Sequence, residues 1–171
     1  MITYVAYHKE HEHGTFGGND FFTSNKVEPG SDCFVVTGSR NQPNDIVSYR
    51  LQGKYRISEV NENTSGKFSG KNLHLQLVQL VKPAYPIPLD VHPKFDKKLF
   101  HDNFTSGGGI RLISEKTGIF LELFDSSLGT NEDQQARLVL ADFDEIDAAT
   151  VTCPRYPYQS KFQKSGVCKI N

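Results

Sequence analysis

The stretch from Asp32 to Glu62 constrains the fold most, because apolar and polar residues alternate on both sides of a turn-prone loop. An apolar run over Cys33–Thr37 stops at Gly38, and residues 39–45 are polar and rich in turn formers. A second alternation follows, interrupted by a predicted turn at Gln52-Gly53; its apolar positions are Val47, Tyr49, Leu51, Tyr55 and Ile57. The pattern predicts a half-buried antiparallel sheet, and we expect function at its rim.

Length and composition indicate one globular domain. The chain has 171 residues, a mass of 19.2 kDa and 37% hydrophobic residues, which is sufficient for a real core. We expect one domain over residues 1–147 and a basic tail, or the start of a linker, over 148–171. The start shows neither a basic targeting segment nor a long apolar run, so we expect a cytoplasmic protein with no membrane partner.

The three cysteines are widely and irregularly spaced, so they encode neither a disulfide framework nor a zinc motif. Cys33, inside the apolar run, is predicted to be a buried thiol. The C-terminal segment 151–171 contains basic and aromatic residues but no acid. It either follows a nucleic-acid backbone or is a solvated tail.

A histidine-rich run, His8–His13, follows the first predicted strand. Its imidazoles and carboxylates are metal-ligand types, but the run ends at Gly14 in a loop, and ligands must converge from a rigid frame. A polar exit from the strand at a binding rim is the other interpretation, and we assign no metal and no cofactor to this chain.

Two further stretches predict tight turns or bends in the chain. In 16–22, the paired Gly17 and Gly18 permit a tight path that either brings aromatic residues close together or forms a corner of the core. In 72–82, leucines alternate until the apolar phase shifts at Val78, which predicts a β-bulge or bend of the kind that a small barrel needs. His74 is out of phase with the leucines and is expected to face solvent or a groove.

The second half of the chain combines prolines, helical patterns and glycines. Prolines keep residues 82–91 extended and out of a central sheet. A helix is predicted from His92-Pro93 to a glycine loop at 107–109, whose bare amides suit a phosphate. Beyond it, 114–127 is either a helix capped by Ser114 or a hairpin, and the i,i+4 pairs Ile119/Leu123 and Phe120/Phe124 favour the helix.

Several of these features together resemble a known superfamily. The segment Tyr49-Arg50-Leu51-Gln52-Gly53-Lys54-Tyr55-Arg56-Ile57, the proline-rich turn and Asn103-Phe104-Thr105-Ser106-Gly107-Gly108 resemble PUA-like proteins. Over residues 1–127 the chain is most similar to the EVE-type domains at the N-termini of modification-dependent, HNH-type restriction endonucleases. The resemblance implies an α+β fold, a small twisted antiparallel β-barrel flanked by short helices.

The resemblance also implies a function without catalysis by this chain. It implies recognition of 5-methylcytosine or 5-hydroxymethylcytosine in double-stranded DNA by base flipping, with any nuclease activity in an HNH domain elsewhere in the full-length protein. The implied base-pocket residues are Tyr7, Phe16, Ser39, Asn41, Tyr49, Phe104 and Ser106. The implied phosphate-binding residues are Arg40, Lys54, Gly107, Gly108 and Gly109.

Two alternatives remain within the same superfamily. PUA-like and YTH-like relatives bind RNA, although the chain lacks the tryptophans of their cages. ASCH-type relatives hydrolyse modified nucleosides with a Lys/Thr/Glu group, for which Lys54, Thr37 and Glu59 are the candidates here.

Overall fold

One mixed β-sheet organises the structure, a computed structural model that describes residues 2–66, 68, 70–106 and 109–129. Its strands are β1 (Thr3–Lys9), β2 (Asp20–Thr23), β3 (Asp32–Ser39), β4 (Ser48–Glu62), β5 (Leu73–Val81), β6 (Ile87–Pro88) and β7 (Ile110–Leu112). They lie in the order β2-β5-β4-β3-β1-β7, and β6 pairs with β4 off this path. The sheet is strongly curled into a half-barrel, and with its short helices the fold is α+β.

The antiparallel pairing expected in the 32–62 stretch is confirmed for β3 with β4, but the centre of the sheet also contains a parallel pair that we did not expect. Strands β1 and β3 are parallel, with Thr3 opposite Asp32 and Lys9 opposite Gly38. Both strands read as nearly continuous apolar runs and are buried along most of their length. This is the pattern of strands covered on both faces, so the prediction of a half-buried sheet is wrong at its centre.

Strand β4 passes without a break through the predicted Gln52-Gly53 turn. Val35 pairs with Gly53 and Val36 with Leu51, so Gln52 is the extra residue of a β-bulge. Gly53 has a φ of 149°, and a Cβ there would collide with the carbonyl oxygen of Val81. Glycine therefore marks a bulge here because the neighbouring backbone comes too close for a side chain.

The bulge divides the apolar side chains of β4 between two cores. Tyr49 and Leu51 belong to a helix-side core, which also contains Phe34, Phe100 and Phe124. On the other side of the bulge, the side chains pack in an inner core. Among the described residues, the buried members of this core all lie in strands; they include Tyr4, Cys33, Tyr55, Ile57, Leu75 and Leu77. An extra residue reverses the two-residue alternation, which explains why one strand serves both faces.

The bulge predicted for β5 is confirmed, but its position and consequence differ. Lys54 pairs with Val81 and Tyr55 with Gln79, so Leu80 is the extra residue. Val78 and Leu80 are exposed instead of joining a core. The apolar phase shift in the sequence therefore reflected two surface residues beside a real bulge. The short β6 agrees with the expectation that the prolines stay outside the central sheet.

Three α-helices and one 3-10 turn complete the described fold. Helix α1 (Glu10–His13) follows β1, and α2 (Lys97–Phe104) begins later than predicted, because the Asp96 side chain accepts a hydrogen bond from the Leu99 amide at 2.8 Å and caps it. After a 3-10 turn at Glu115–Thr117, a helix covers 119–129, which we call α3. The helix interpretation is confirmed, with Phe120, Leu123 and Phe124 buried but Ile119 exposed.

Two further expectations concern Cys33 and the C-terminal segment. Cys33 is fully buried, as predicted. The predicted boundary at 147 and the basic tail over 148–171 lie outside the described residues.

Candidate functional site

An aromatic groove lies beside the end of β1 and strand β2, and it has a volume of about 370 Å³. Its walls come from the end of β1, the end of α1 and the loop after it, β2, and residues Phe68 and Lys71. The described lining residues are Tyr7, His8, Lys9, His13, Thr15, Phe16, Gly17, Gly18, Asp20, Phe21, Phe22, Phe68, Lys71, Thr105 and Gly109.

One wall is a run of rings centred on Phe22. Antiparallel pairing of β2 with β5 sets Phe22 opposite His74, and the two rings stack at 4.7 Å with an interplanar angle of 9°. Phe68 extends this wall, with its ring centroid 5.1 Å from that of Phe22 and 5.9 Å from that of His13. About half of Phe68 is exposed, so its ring is accessible to a ligand.

A second ring cluster stands at the end of β1. The His8 ring lies 5.7 Å from Phe16 and 5.9 Å from His13. His8 is held by a 2.8 Å hydrogen bond between its Nε2 and the carbonyl oxygen of Gly14. Phe16, just before the paired Gly17 and Gly18, contacts Tyr55 at 6.3 Å and packs against the inner core.

The charged lining residues are mainly cationic. Lys9 pairs with Glu12 at 3.1 Å. Burial, and then the positive charge of Arg111, lower the pKa of Lys71. Asp20 supplies the negative charge, and its Oδ1 lies 2.8 Å from Nε2 of His74. The groove thus combines π faces with two ammonium groups and one carboxylate.

Backbone geometry shapes the floor of the groove. Gly109 has a φ of 80°, and its carbonyl oxygen accepts a hydrogen bond from the Tyr7 amide at 2.6 Å. A Cβ at Gly109 would stand 3.0 Å from the Phe21 ring. Glycine is therefore required here both by its conformation and by the adjacent ring.

The predicted pocket aromatics separate into two groups. Tyr7 and Phe16 are among the residues that line the groove, although Tyr7 is buried and its ring packs in the helix-side core against Tyr49 and Phe100. Tyr49 and Phe104 are not among its lining residues; both are buried in the helix-side core, where Tyr49 contacts Phe100 at 5.0 Å. Tyr49 on β4 and Phe104 on α2 both pack in the core between the helix and the sheet, so their apolar positions signalled packing.

The predicted polar readers do not converge on the groove. Ser39 ends β3 opposite Ser48, and the carbonyl oxygen of the exposed Ser106 accepts a 3.0 Å hydrogen bond from Arg111. Asn41 lines a separate cavity of about 340 Å³, together with His11, Arg40, Gln42 and Pro43.

The predicted phosphate-binding residues are also dispersed. Arg40 Nη2 donates to Nε2 of His11 at 3.0 Å, beside the separate cavity. Lys54 is engaged by Asp125 at 3.0 Å and by Asp32 at 3.7 Å. Gly109 lines the groove, whereas Gly107 and Gly108 lie outside the described residues.

The candidate Lys/Thr/Glu group is not assembled. Lys54 is opposite Phe34, whereas Thr37 is opposite Arg50 further along β3. The Thr37 hydroxyl oxygen accepts a hydrogen bond from the side-chain Nε2 of Gln52 at 2.8 Å, and Glu59 is exposed on the far part of β4. These positions give Lys54 neither partner for proton transfer.

Sequence reasoning missed the residues that make the ring wall. His74 was expected to face solvent or a groove, and its ring stacks on Phe22 with part of the side chain exposed. Its hydrogen-bond partner Asp20 was not singled out. Phe68 lies in a polar stretch where aromatic residues are unusual, and that isolation was the available signal.

Neither a scan of protein-family models nor a search of curated proteins found a match to this chain. Among the described residues, no three His, Cys, Asp or Glu side chains are grouped so as to hold a metal ion. Within the same part of the chain, every helix is too short or too polar to cross a membrane.

Proposed function

We propose that this chain is a DNA-binding module that receives an extruded modified cytosine in the aromatic groove. The observation that carries the proposal is the ring wall of Phe22, Phe68 and His13 facing a cavity that also contains two lysines. The cavity volume of about 370 Å³ is within the usual range of small-molecule sites.

Stacking is the first contribution that this groove offers. A flipped base has lost its neighbours in the duplex, and an aromatic face replaces them; stacking on a protein ring is worth roughly 1–3 kcal/mol per base. The half-exposed ring of Phe68 and the edge of Phe22 are available for that contact. A 5-methyl group is apolar and would pack against the same rings.

Electrostatics supplies the second contribution. Lys9 and Lys71 stand at the groove, where they would meet the phosphates that flank an extruded nucleotide. The formal net charge of the chain is −1, so DNA contact has to be local, and we expect few phosphate contacts and a shallow salt dependence.

The wider assignment belongs to the same proposal. The curled sheet and short helices are compatible with a small barrel fold, and the PUA/EVE-like assignment of that fold is part of the proposal. A cytoplasmic restriction system would combine this module with an HNH nuclease domain that cuts the marked DNA. In that arrangement the module described here supplies specificity.

Binding to matched short duplexes tests the proposal. The probes carry cytosine, 5-methylcytosine or 5-hydroxymethylcytosine, with single-stranded RNA with and without methylated adenine beside them at one fixed salt concentration. We expect at least about tenfold tighter binding, roughly 1.4 kcal/mol, for one modified duplex. Phe68→Ala should remove about tenfold of that affinity, because it deletes one stacking face.

Tyr85→Ala is the matched control. Tyr85 is also an exposed aromatic residue and is not among the residues that line the groove. Equal weak binding to every probe that disappears with added salt would contradict the proposal, and so would equal losses in the two variants. A preference for methylated RNA would instead support the RNA-binding alternative for the groove.

A further inference from the structure

We propose that Asp20, held in place by His74, selects bases that carry an exocyclic amino group, so that the groove distinguishes 5-methylcytosine from thymine. This assignment rests on the proposed function and specifies which edge of the base is read.

The position of Asp20 follows from the pairing of β2 with β5. Phe22 lies opposite His74, and Asp20 is two residues earlier on the same strand, opposite Gln76. His74 therefore stacks on Phe22 while its Nε2 reaches Oδ1 of Asp20 at 2.8 Å. Asp20 lines the groove, and 63% of its side chain is exposed.

The chemistry of this pair fixes the direction of the hydrogen bond. An ionised carboxylate can only accept, so Nε2 of His74 carries the hydrogen. One contact occupies a fraction of the acceptor sites of a carboxylate, and Asp20 can accept further hydrogen bonds from a ligand.

An amino group on the ligand matches this acceptor, and a carbonyl does not. Cytosine presents its N4 amino donor on the edge where thymine presents the O4 acceptor, and acidic side chains accept from cytosine N4. Thymine O4 would face the carboxylate lone pairs without a hydrogen between them. Since 5-methylcytosine and thymine share the methyl group, stacking and methyl contacts cancel in their comparison.

Among the described residues that line the groove, Asp20 is the one acidic side chain. The neighbouring polar groups are committed elsewhere or are donors: Lys9 pairs with Glu12, and His8 Nε2 contacts the Gly14 carbonyl. Asp20 is therefore the strongest acceptor that the groove offers to an amino group.

Asp20→Asn should reverse the preference instead of merely weakening binding. In the variant, the Asn Oδ1 can continue to accept from His74, which turns the amide nitrogen toward the groove as a donor. That donor is complementary to thymine O4. The change also removes a negative charge, but two probes of equal charge share that effect, so their affinity ratio isolates the edge contact.

The experiment measures binding to two duplexes in which 5-methylcytosine or thymine stands opposite an abasic site. Neither base is paired, so the difference in extrusion cost is small. We expect the unsubstituted chain to prefer 5-methylcytosine about tenfold, and Asp20→Asn to bring the ratio to one or below. Asp102→Asn, an equal change of charge at an exposed position in α2 outside the groove lining, should preserve the preference.

The possible failures can be told apart. Suppose that the unsubstituted chain binds both probes, that Phe68→Ala weakens this binding, and that Asp20→Asn leaves the ratio of the two affinities unchanged. The assignment of Asp20 is then overturned, while the proposed function stands. If the unsubstituted chain binds neither probe nor the modified duplexes, the proposed function and this assignment are both overturned.

Discussion

Gly38→Ala should destabilise the protein by driving a methyl group into the ring of Tyr7. A Cβ at Gly38 would overlap the Tyr7 hydroxyl and lie 2.8 Å from Cζ and 2.9 Å from Cε2. Carbon contacts are optimal at about 3.5–4.0 Å, so the ring would have to move by roughly 0.7 Å or more. It is buried, with Tyr49 at 6.0 Å and Phe100 at 6.3 Å, which leaves little room.

The expected magnitude combines two opposing effects. Overpacking costs about 1–3 kcal/mol. Replacing glycine by alanine also restricts the unfolded chain, which returns about 0.4–1 kcal/mol where the conformation is compatible. The overlap involves three atoms of one buried ring, so we expect the free energy of unfolding to fall by about 2 kcal/mol.

Urea denaturation followed by circular dichroism measures this loss, since the chain has no tryptophan to report by fluorescence. Tyr7→Phe removes the closest atom, so it should recover about 1 kcal/mol in the Gly38→Ala background. Gly118→Ala is the control, because a Cβ there meets no atom closer than the Glu115 carbonyl oxygen at 3.5 Å. Unchanged stability in Gly38→Ala, or an equal effect of Tyr7→Phe in both backgrounds, would refute the reasoning.

Three further outcomes follow from burial. Phe100→Ala should cost about 3–5 kcal/mol of unfolding free energy in the same assay, because its fully buried ring touches several others, and a loss below about 1 kcal/mol would contradict that role. Burial raises the pKa of Cys33 to about 12, so in a C153S/C168S chain the remaining thiol should react with a disulfide reagent only as fast as the protein unfolds; rapid labelling of native protein would contradict its burial. Burial, assisted by the charge of Asp90, raises the pKa of Tyr49 from 10.0 to about 12; the unfolded chain releases this proton first, so stability should decline between about pH 10 and pH 12, and Tyr49→Phe should reduce that decline.

Local patterns in the sequence predicted much of the fold. The alternation in β4, the burial of Cys33 and the helix that contains Phe120 and Phe124 all depend on neighbours within a few residues. The parallel pairing of β1 with β3 depends on a contact between distant segments, and periodicity does not encode a partner. Gln52-Gly53 misled for a related reason, because glycine serves a bulge as readily as a turn.

The candidate site was harder to predict than the fold. Phe16 and Gly109 line the groove, whereas the rings of Tyr7 and Tyr49 pack in the helix-side core. Sequence alone did not separate them, since an aromatic residue on an alternating strand looks the same whether it faces a ligand or a helix. The pair formed by Asp20 and His74 joins residues that are far apart in the chain. Only the register of β2 on β5 brings them together.

The bulge at Gln52 has a consequence for the way in which the protein loses its structure. Because β4 contributes Tyr49 and Leu51 to the helix-side core and Tyr55 and Ile57 to the inner core, neither core can dissolve while the other keeps this strand in place. The backbone amides of β3 and β4 should therefore exchange with solvent as one cooperative unit, at the free energy of global unfolding.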